Sequence, residues 1–227
     1  YVDNNTSTIS KADLTLSTRA VSKTYDGTLS ALGTAVVTAG TLYHNASNDG
    51  ALDALSGGTF AFTNANAGSG NKTVTASGVT VQDGNTGGNY NVSYVANTVS
   101  TIDKAALTIG TSDVVKTYDG TVGAAGTAVV TGGSLFSNAS NDNTPDSISG
   151  GNFAFTSKHA SAGDKVVSTT DVSVSDGNGG NNYTVSYANN TSSTINKADL
   201  SVRTSDVTKT YDGTLAAVGT AVAAGDT

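Results

Sequence analysis

Apolar and polar residues alternate with a period of two along much of this chain. In Tyr90-Asn-Val-Ser-Tyr94, Tyr90, Val92 and Tyr94 stand on one side, and Asn91 and Ser93 on the other. Phe60 and Phe62 flank Ala61, Val79 and Val81 flank Thr80, and Leu14 and Leu16 flank Thr15. Alternation of this kind lines one face of a half-buried β-strand. Turn-forming residues separate the runs at Asp26-Gly27, Asn48-Asp49-Gly50, Gly57-Gly58, 68–71 and 83–89. The pattern predicts six or seven short strands and a small all-β domain of sandwich-like (Ig-like) or open-barrel build.

The pattern then repeats. Tyr183, Val185 and Tyr187, Phe153 and Phe155, Val172 and Val174, and Leu107 and Ile109 recur one period later. The hexapeptide Lys-Thr-Tyr-Asp-Gly-Thr begins at Lys23, Lys116 and Lys209, a spacing of 93 each time. Laid over one another without a gap, residues 9–101 and 102–194 agree at 54 of 93 positions, which marks them as copies rather than unrelated sheets of similar composition. Residues 1–8 match the end of a unit, since Tyr1 aligns with Tyr94 and Tyr187, and are expected to form the last strand of a preceding one. Residues 195–227 open a third. The expected organisation is therefore a piece of a longer tandem array, with unit 1 at 9–101 and unit 2 at 102–194.

Composition sharpens the fold. All 18 acidic residues are Asp, and Glu, Met, Trp and Cys are absent, so good helix formers are scarce while turn and strand formers abound. Each unit offers a lean set of inward side chains, and packing between neighbours is expected to supplement it. The junction Ser100-Thr-Ile-Asp-Lys-Ala-Ala-Leu107 carries no Gly, Pro or Ser-rich spacer, which predicts a stiff joint and an elongated rod. A net charge of −7 with eleven Lys and Arg argues against nucleic-acid binding. No apolar run reaches bilayer length, so membrane insertion is not expected. Without Cys, stability does not come from disulfides.

Few residues point to chemistry. In the repeated turn, Tyr25, Asp26 and Gly27, with Tyr118, Asp119, Gly120 and Tyr211, Asp212, Gly213, read as structure. Gly supplies positive φ, Asp accepts from its following amides, and Tyr covers the strand end, with the Lys23 stem against its ring. The rival is a Lys–Asn or Lys–Asp isopeptide crosslink, for which no partner stands out. Calcium is the one cofactor considered. Its oxygen ligands would come from Asp83 and Asn85, Asp176 and Asn178, or from Asp49 with Asp53 and Asp142 with Asp146. Tyr43, Tyr90 and Tyr94 among many Asn and Asp could form a sugar-stacking platform, against which stands their place on an alternating strand. Catalysis has little support, because His44 aligns with Ser137 and His159 with Asn66, so neither histidine belongs to the repeated unit. An enzyme is not expected.

A strand opened by Ile-x-Lys-Ala-x-Leu (9–14, 102–107, 195–200), then Lys-Thr-Tyr-Asp-Gly-Thr, then a closing Asn-Tyr-x-Val-Ser-Tyr (89–94, 182–187) resembles the YDG-type tandem repeat and the related MBG repeats. Those repeats occur in very large secreted bacterial surface proteins, including filamentous-haemagglutinin-like exoproteins. The resemblance covers 9–194 and the partial third copy. It implies a non-catalytic stalk or fibre of an adhesin or biofilm matrix, outside the cell. Neighbouring repeats would be the first partners, with lateral self-association and surface glycans left open. A carbohydrate-binding module and a calcium-rigidified rod stay as alternatives.

Overall fold

The computed structural model describes residues 3–46 and 49–224 and contains strands, turns and no helix longer than a single 3-10 residue. Unit 1 holds β1 (Ala12–Thr18), β2 (Ser22–Thr24), β3 (Ala35–Ala39), β4 (His44–Asn45), β5 (Ala51–Leu52), β6 (Ala54–Phe62), β7 (Gly68–Gln82), β8 (Tyr90–Tyr94) and β9 (Asn97–Asp103). Unit 2 repeats them as β10 (Ala105–Thr111), β11 (Val115–Thr117), β12 (Ala128–Gly132), β13 (Ser137–Asn138), β14 (Thr144–Pro145), β15 (Ser147–Phe155), β16 (Ser161–Ser175), β17 (Tyr183–Tyr187) and β18 (Asn190–Asn196). The third copy contributes β19 (Val202–Thr204) and β20 (Ala221–Ala223), paired antiparallel. The tandem all-β expectation holds.

Each unit carries two sheets and a small ribbon, ordered β3-β1-β8, β2-β9-β7-β6 and β4-β5 in unit 1. The unit closes on itself through two parallel pairs, β1 with β8 and β2 with β9. The chain passes between sheets after β1 and again after β8, and the two corners are tied together. Ser100 is buried there, accepts from the Val21 amide at 3.0 Å and donates to Asn97 Oδ1 at 2.9 Å. Ser193, Val114 and Asn190 repeat the tie. A buried hydroxyl that both accepts and donates leaves no polar group stranded where the ladder breaks.

Several expectations need correcting. Gly57-Gly58 is no turn: both glycines lie inside β6 at φ 64° and 103°. Residues 68–71 belong to β7, whose pairing with β9 shifts register between Gly68 and Lys72. Glycine at positive φ serves a bulge as readily as a turn, and here it bends long strands without ending them. Described residues 3–8 form no strand; Tyr1 and Val2 of that segment, with Asn48 of the loop and the last residues of the third copy, lie outside the described set. β9 runs to Asp103 and β10 opens at Ala105, so Lys104 lies between the two strands.

The core divides by halves of units. Leu14, Leu16, Val79, Val81 and Tyr90 form the leading half-core of unit 1. Its trailing half, Val21, Tyr25, Ala31, Phe62, Val74 and Ile102, runs without a break into Ala105, Leu107, Ile109, Val172 and Tyr183 of unit 2. Val114, Phe155, Val167 and Ile195 make the trailing half of unit 2. A unit too lean to fill two half-cores borrows apolar surface across the seam.

Candidate functional site: the seam between units

The repeated hexapeptide builds a plug. Asp26 Oδ1 accepts from the Thr28 amide at 2.9 Å, forming the expected turn, and Gly27 sits at φ 76°. The lysine has a role that residue order did not show. Lys23 Nζ reaches over the turn to Asp26 Oδ1 at 2.6 Å and to the Thr28 carbonyl at 2.8 Å, and lies 5.5 Å from the Phe62 ring centre. Its ammonium therefore faces the Phe62 ring. Lys116 and Lys209 staple their own turns alike. On Asp119, the hydrogen bond from Lys116, then those from Thr121, hold the carboxyl down to about 2.

With the turn stapled, Tyr25 is pushed out of its own unit and into the next. Only 1% of it is exposed. Its ring meets Phe136 and Tyr183 edge-on, with centroids 5.7 and 5.4 Å away, and those two rings stack on each other. Edge-to-face packing sets the positive ring edge against the negative face, which adds to the apolar burial. The Tyr25 hydroxyl donates to Asp146 Oδ2 at 3.0 Å, and the Tyr183 hydroxyl donates to the same oxygen at 2.6 Å while accepting from the Phe136 amide.

Main-chain and amide groups finish the socket. The Ala139 amide donates to the Gly27 carbonyl at 2.8 Å, and the Ala65 amide donates to Ser140 Oγ at 2.7 Å. Ala67 donates to Asn182 Oδ1 at 2.9 Å, and Asn66 Oδ1 accepts from Asn138 at 2.8 Å and Asn182 at 3.3 Å. These groups find partners across the seam, while the buried Asp146 Oδ1 has none. Among these residues Tyr25, Asp26 and Gly27 and the closing Asn182-Tyr183 belong to the repeated motifs, and Asp146 was weighed as a metal ligand. The roles of Asn66, Asn138 and Asn182 across the seam were missed. One signal was present: the Asn-Tyr close recurs in both units, while Tyr43 becomes Phe136, which keeps the ring and drops the hydroxyl.

The acidic residues weighed for calcium go elsewhere. Asp83 Oδ1 accepts from the amides of Asn85 and Gly87, both at 2.8 Å, and Oδ2 from Asn89 at 3.0 Å. Burial alone would raise its pKa, yet the amides of Asn89, Gly87 and Asn85 outweigh that and lower it. Asp176 holds the loop of Asn178 in the same way. Asp49 and Asp142 stand at positive φ on exposed turns, whereas Asp53 and Asp146 are buried against tyrosine hydroxyls. Among the described residues no three His, Cys, Asp or Glu gather into a group that could hold a metal.

Protonation of the plug gives the seam a pH dependence. Burial first, then the hydrogen bond to Asp146 and its charge, raises the Tyr25 pKa above the ordinary 10.0, and Tyr183 is raised in the same way. A raised folded value means no loss of stability below pH 10, where both states stay protonated. Above pH 10 the unfolded chain ionises first and stability falls, by up to about 1.4 kcal/mol per pH unit for each such tyrosine. Urea midpoints measured from pH 7 to 11.5 should be flat to about pH 9.5 and then drop; a rise would contradict this geometry.

Two stretches of the chain, 10–98 and 103–192, match the family model described as the YDG domain, together more than three quarters of its length. No curated protein and no solved structure matches.

Proposed function

The chain belongs to the YDG domain family, and from that premise we propose that it is a spacer: a stretch of stalk or fibre, in an adhesin or matrix protein outside a bacterial cell, whose product is reach. The observation that carries this reading is Tyr25, a side chain of one unit that is core in the next. Lys104 alone separates β9 from β10, so rotation about the joint would have to pull an aromatic ring from its socket. Repetition then sets length, and the shared core sets stiffness. The accessible surface supports an extended form: 13809 Å² for a 22.4 kDa chain, against about 9,400 Å² for a compact monomer of that mass.

The sugar-binding alternative draws on the same place. Tyr43, Asn89 and Tyr90 line a concavity on unit 1, as a stacking platform would require. Its counterpart on unit 2 is filled by Tyr25 of this chain, which favours docking of a neighbour over capture of a glycan. Small-angle scattering tests the spacer directly. A compact chain of 227 residues has a radius of gyration near ~17 Å. The spacer predicts a value well above that and a pair-distance curve with a long tail, whereas a value at the compact limit would refute it.

A further inference from the structure

The chain enters and leaves each unit through strands that run side by side in the same direction. In unit 1 the entering segment is β1 then β2, and the leaving segment is β8 then β9. β1 lies parallel to β8, with Ala12 opposite Tyr90 and Leu16 opposite Tyr94. β2 lies parallel to β9, with Ser22 opposite Thr101 and Thr24 opposite Asp103. Both segments change sheet at the tied corners, so one parallel contact runs from Ala12 to Asp103. Entry and exit therefore stand at opposite ends of that contact.

A pull on the two ends of the unit acts along these strands. Ladder bonds between parallel strands lie across the strand direction, so such a pull loads all of them at once instead of opening them in turn. Main-chain bonds mark the whole span. The Ala12 amide donates to the Asn89 carbonyl at 2.9 Å, and Val95 to Leu16, Thr101 to Val21 and Tyr25 to Asp103 each at 2.8 Å. Thr15 Oγ1 and Ser93 Oγ, 3.0 Å apart, add a side-chain bond across β1 and β8. On the other edge β3 holds the entering strand β1, and β7 holds the leaving strand β9. Unit 2 keeps the set, from Ala105 on Asn182 at 2.9 Å to Tyr118 on Asn196 at 2.8 Å, with Thr108 and Ser186 again 3.0 Å apart.

We propose a further function for this fold: each unit is a shear clamp that carries tension along the chain without lengthening. Residues 25–89 lie inside the loop that the parallel contact closes, so none of them is stretched until it fails. Lys104 alone joins β9 to β10, which passes load from one leaving strand straight to the next entering strand. A spacer needs only length, and this contact adds resistance to pulling. The proposal goes beyond the spacer reading and stands on strand order within a unit, so the scattering result and the result below can fail separately.

The chain has no cysteine, so two introduced ones fix the axis of pulling in single-molecule force spectroscopy on the whole chain. Lys11→Cys with Lys104→Cys pulls unit 1 along its strands. Lys11→Cys with Thr86→Cys draws the starts of β1 and β8 apart, so the same bonds open one after another. All three side chains are exposed, and circular dichroism checks that the fold persists. At one loading rate the first pair should rupture at a force at least about twofold above the second. It should do so in one step that releases roughly 300 Å for the 93-residue unit. Val95→Pro removes the amide that bonds Leu16 at the end of the β1–β8 ladder. It should lower the force along the strands and leave the peeling force, set by the first rungs, unchanged. Equal forces for the two attachment pairs overturn the proposal. So does a folded Val95→Pro chain that ruptures along the strands at the original force; if that variant does not fold, the two attachment pairs decide alone.

Discussion

Replacing Tyr25 by Ala should cost about 3–5 kcal/mol, the largest loss expected from any single residue of the repeated turns. Three losses add up. The ring leaves a cavity between Phe136 and Tyr183, the hydroxyl no longer reaches Asp146, and the apolar continuity between half-cores is interrupted. Asp146 Oδ2 keeps its bond from Tyr183. Tyr25→Phe removes only the hydroxyl and its hydrogen bond to Asp146 and should cost about 1 kcal/mol. Tyr118→Ala is the internal control. Tyr118 belongs to an identical turn but is 41% exposed, and its loss should stay within about 1 kcal/mol. Urea unfolding reads all three, and Tyr25→Ala should also separate one cooperative transition into two as the units uncouple. Equal effects at Tyr25 and Tyr118 would mean that the turn matters only within its own unit.

That contrast shows where sequence reasoning stops. Alternation placed β1, β6 and β8 well, because Leu14 and Leu16, Phe60 and Phe62, and Tyr90 and Val92 obey a purely local rule. Partners are not local. Nothing in the alternation of β1 says that it pairs in parallel with β8, some 78 residues away, as Thr15 Oγ1 and Ser93 Oγ record. The Gly57-Gly58 error has the same source: a glycine pair announces positive φ, and only the strand across the ladder decides whether the chain turns or bulges. The turn of Asp26 and Gly27 was legible because both act on adjacent amides. The fate of Tyr25 was not, since Asp146 lies 121 positions on. The period of 93 held the missing clue, for a motif kept in every copy near a spacer-free joint has a neighbour to meet.

Asp83 and Asp176 teach a related point about candidate ion sites. A loop of Gly and Asn around one Asp looks like a cation cradle in sequence, because both uses call for oxygens and flexible backbone. In the folded unit each of these carboxylates takes three amides of its own loop. Those bonds aim Asn89 and Asn182 at the leading face of their units, and Asn182 then meets Ala67 and Asn66 of the neighbour. The loop thus carries an asparagine that enters the seam.

Gly27→Ala should be nearly as damaging as loss of the ring, and for a reason that separates folding from docking. A Cβ at Gly27 would fall far inside contact distance of the Ser137 carbonyl oxygen, 3.0 Å from its carbon and 3.1 Å from Phe136 Cβ. Those are backbone and ring-root atoms that cannot swing aside, so the seam must open and the Ala139 amide loses the Gly27 carbonyl. Gly120, at φ 78°, has nothing within 4 Å of the same position. Gly120→Ala therefore isolates the backbone penalty of a left-handed alanine, about 1–2 kcal/mol. Gly27→Ala adds the clash and the loss of the Ala139 hydrogen bond, for about 3–5 kcal/mol in all. The decisive measurement is the double variant. Once Tyr25→Ala has emptied the socket, the steric part of Gly27→Ala should vanish, leaving a cost like that at Gly120 and a coupling of at least about 1 kcal/mol. Strict additivity would show that plug and glycine act separately, and that the seam is not held as one unit.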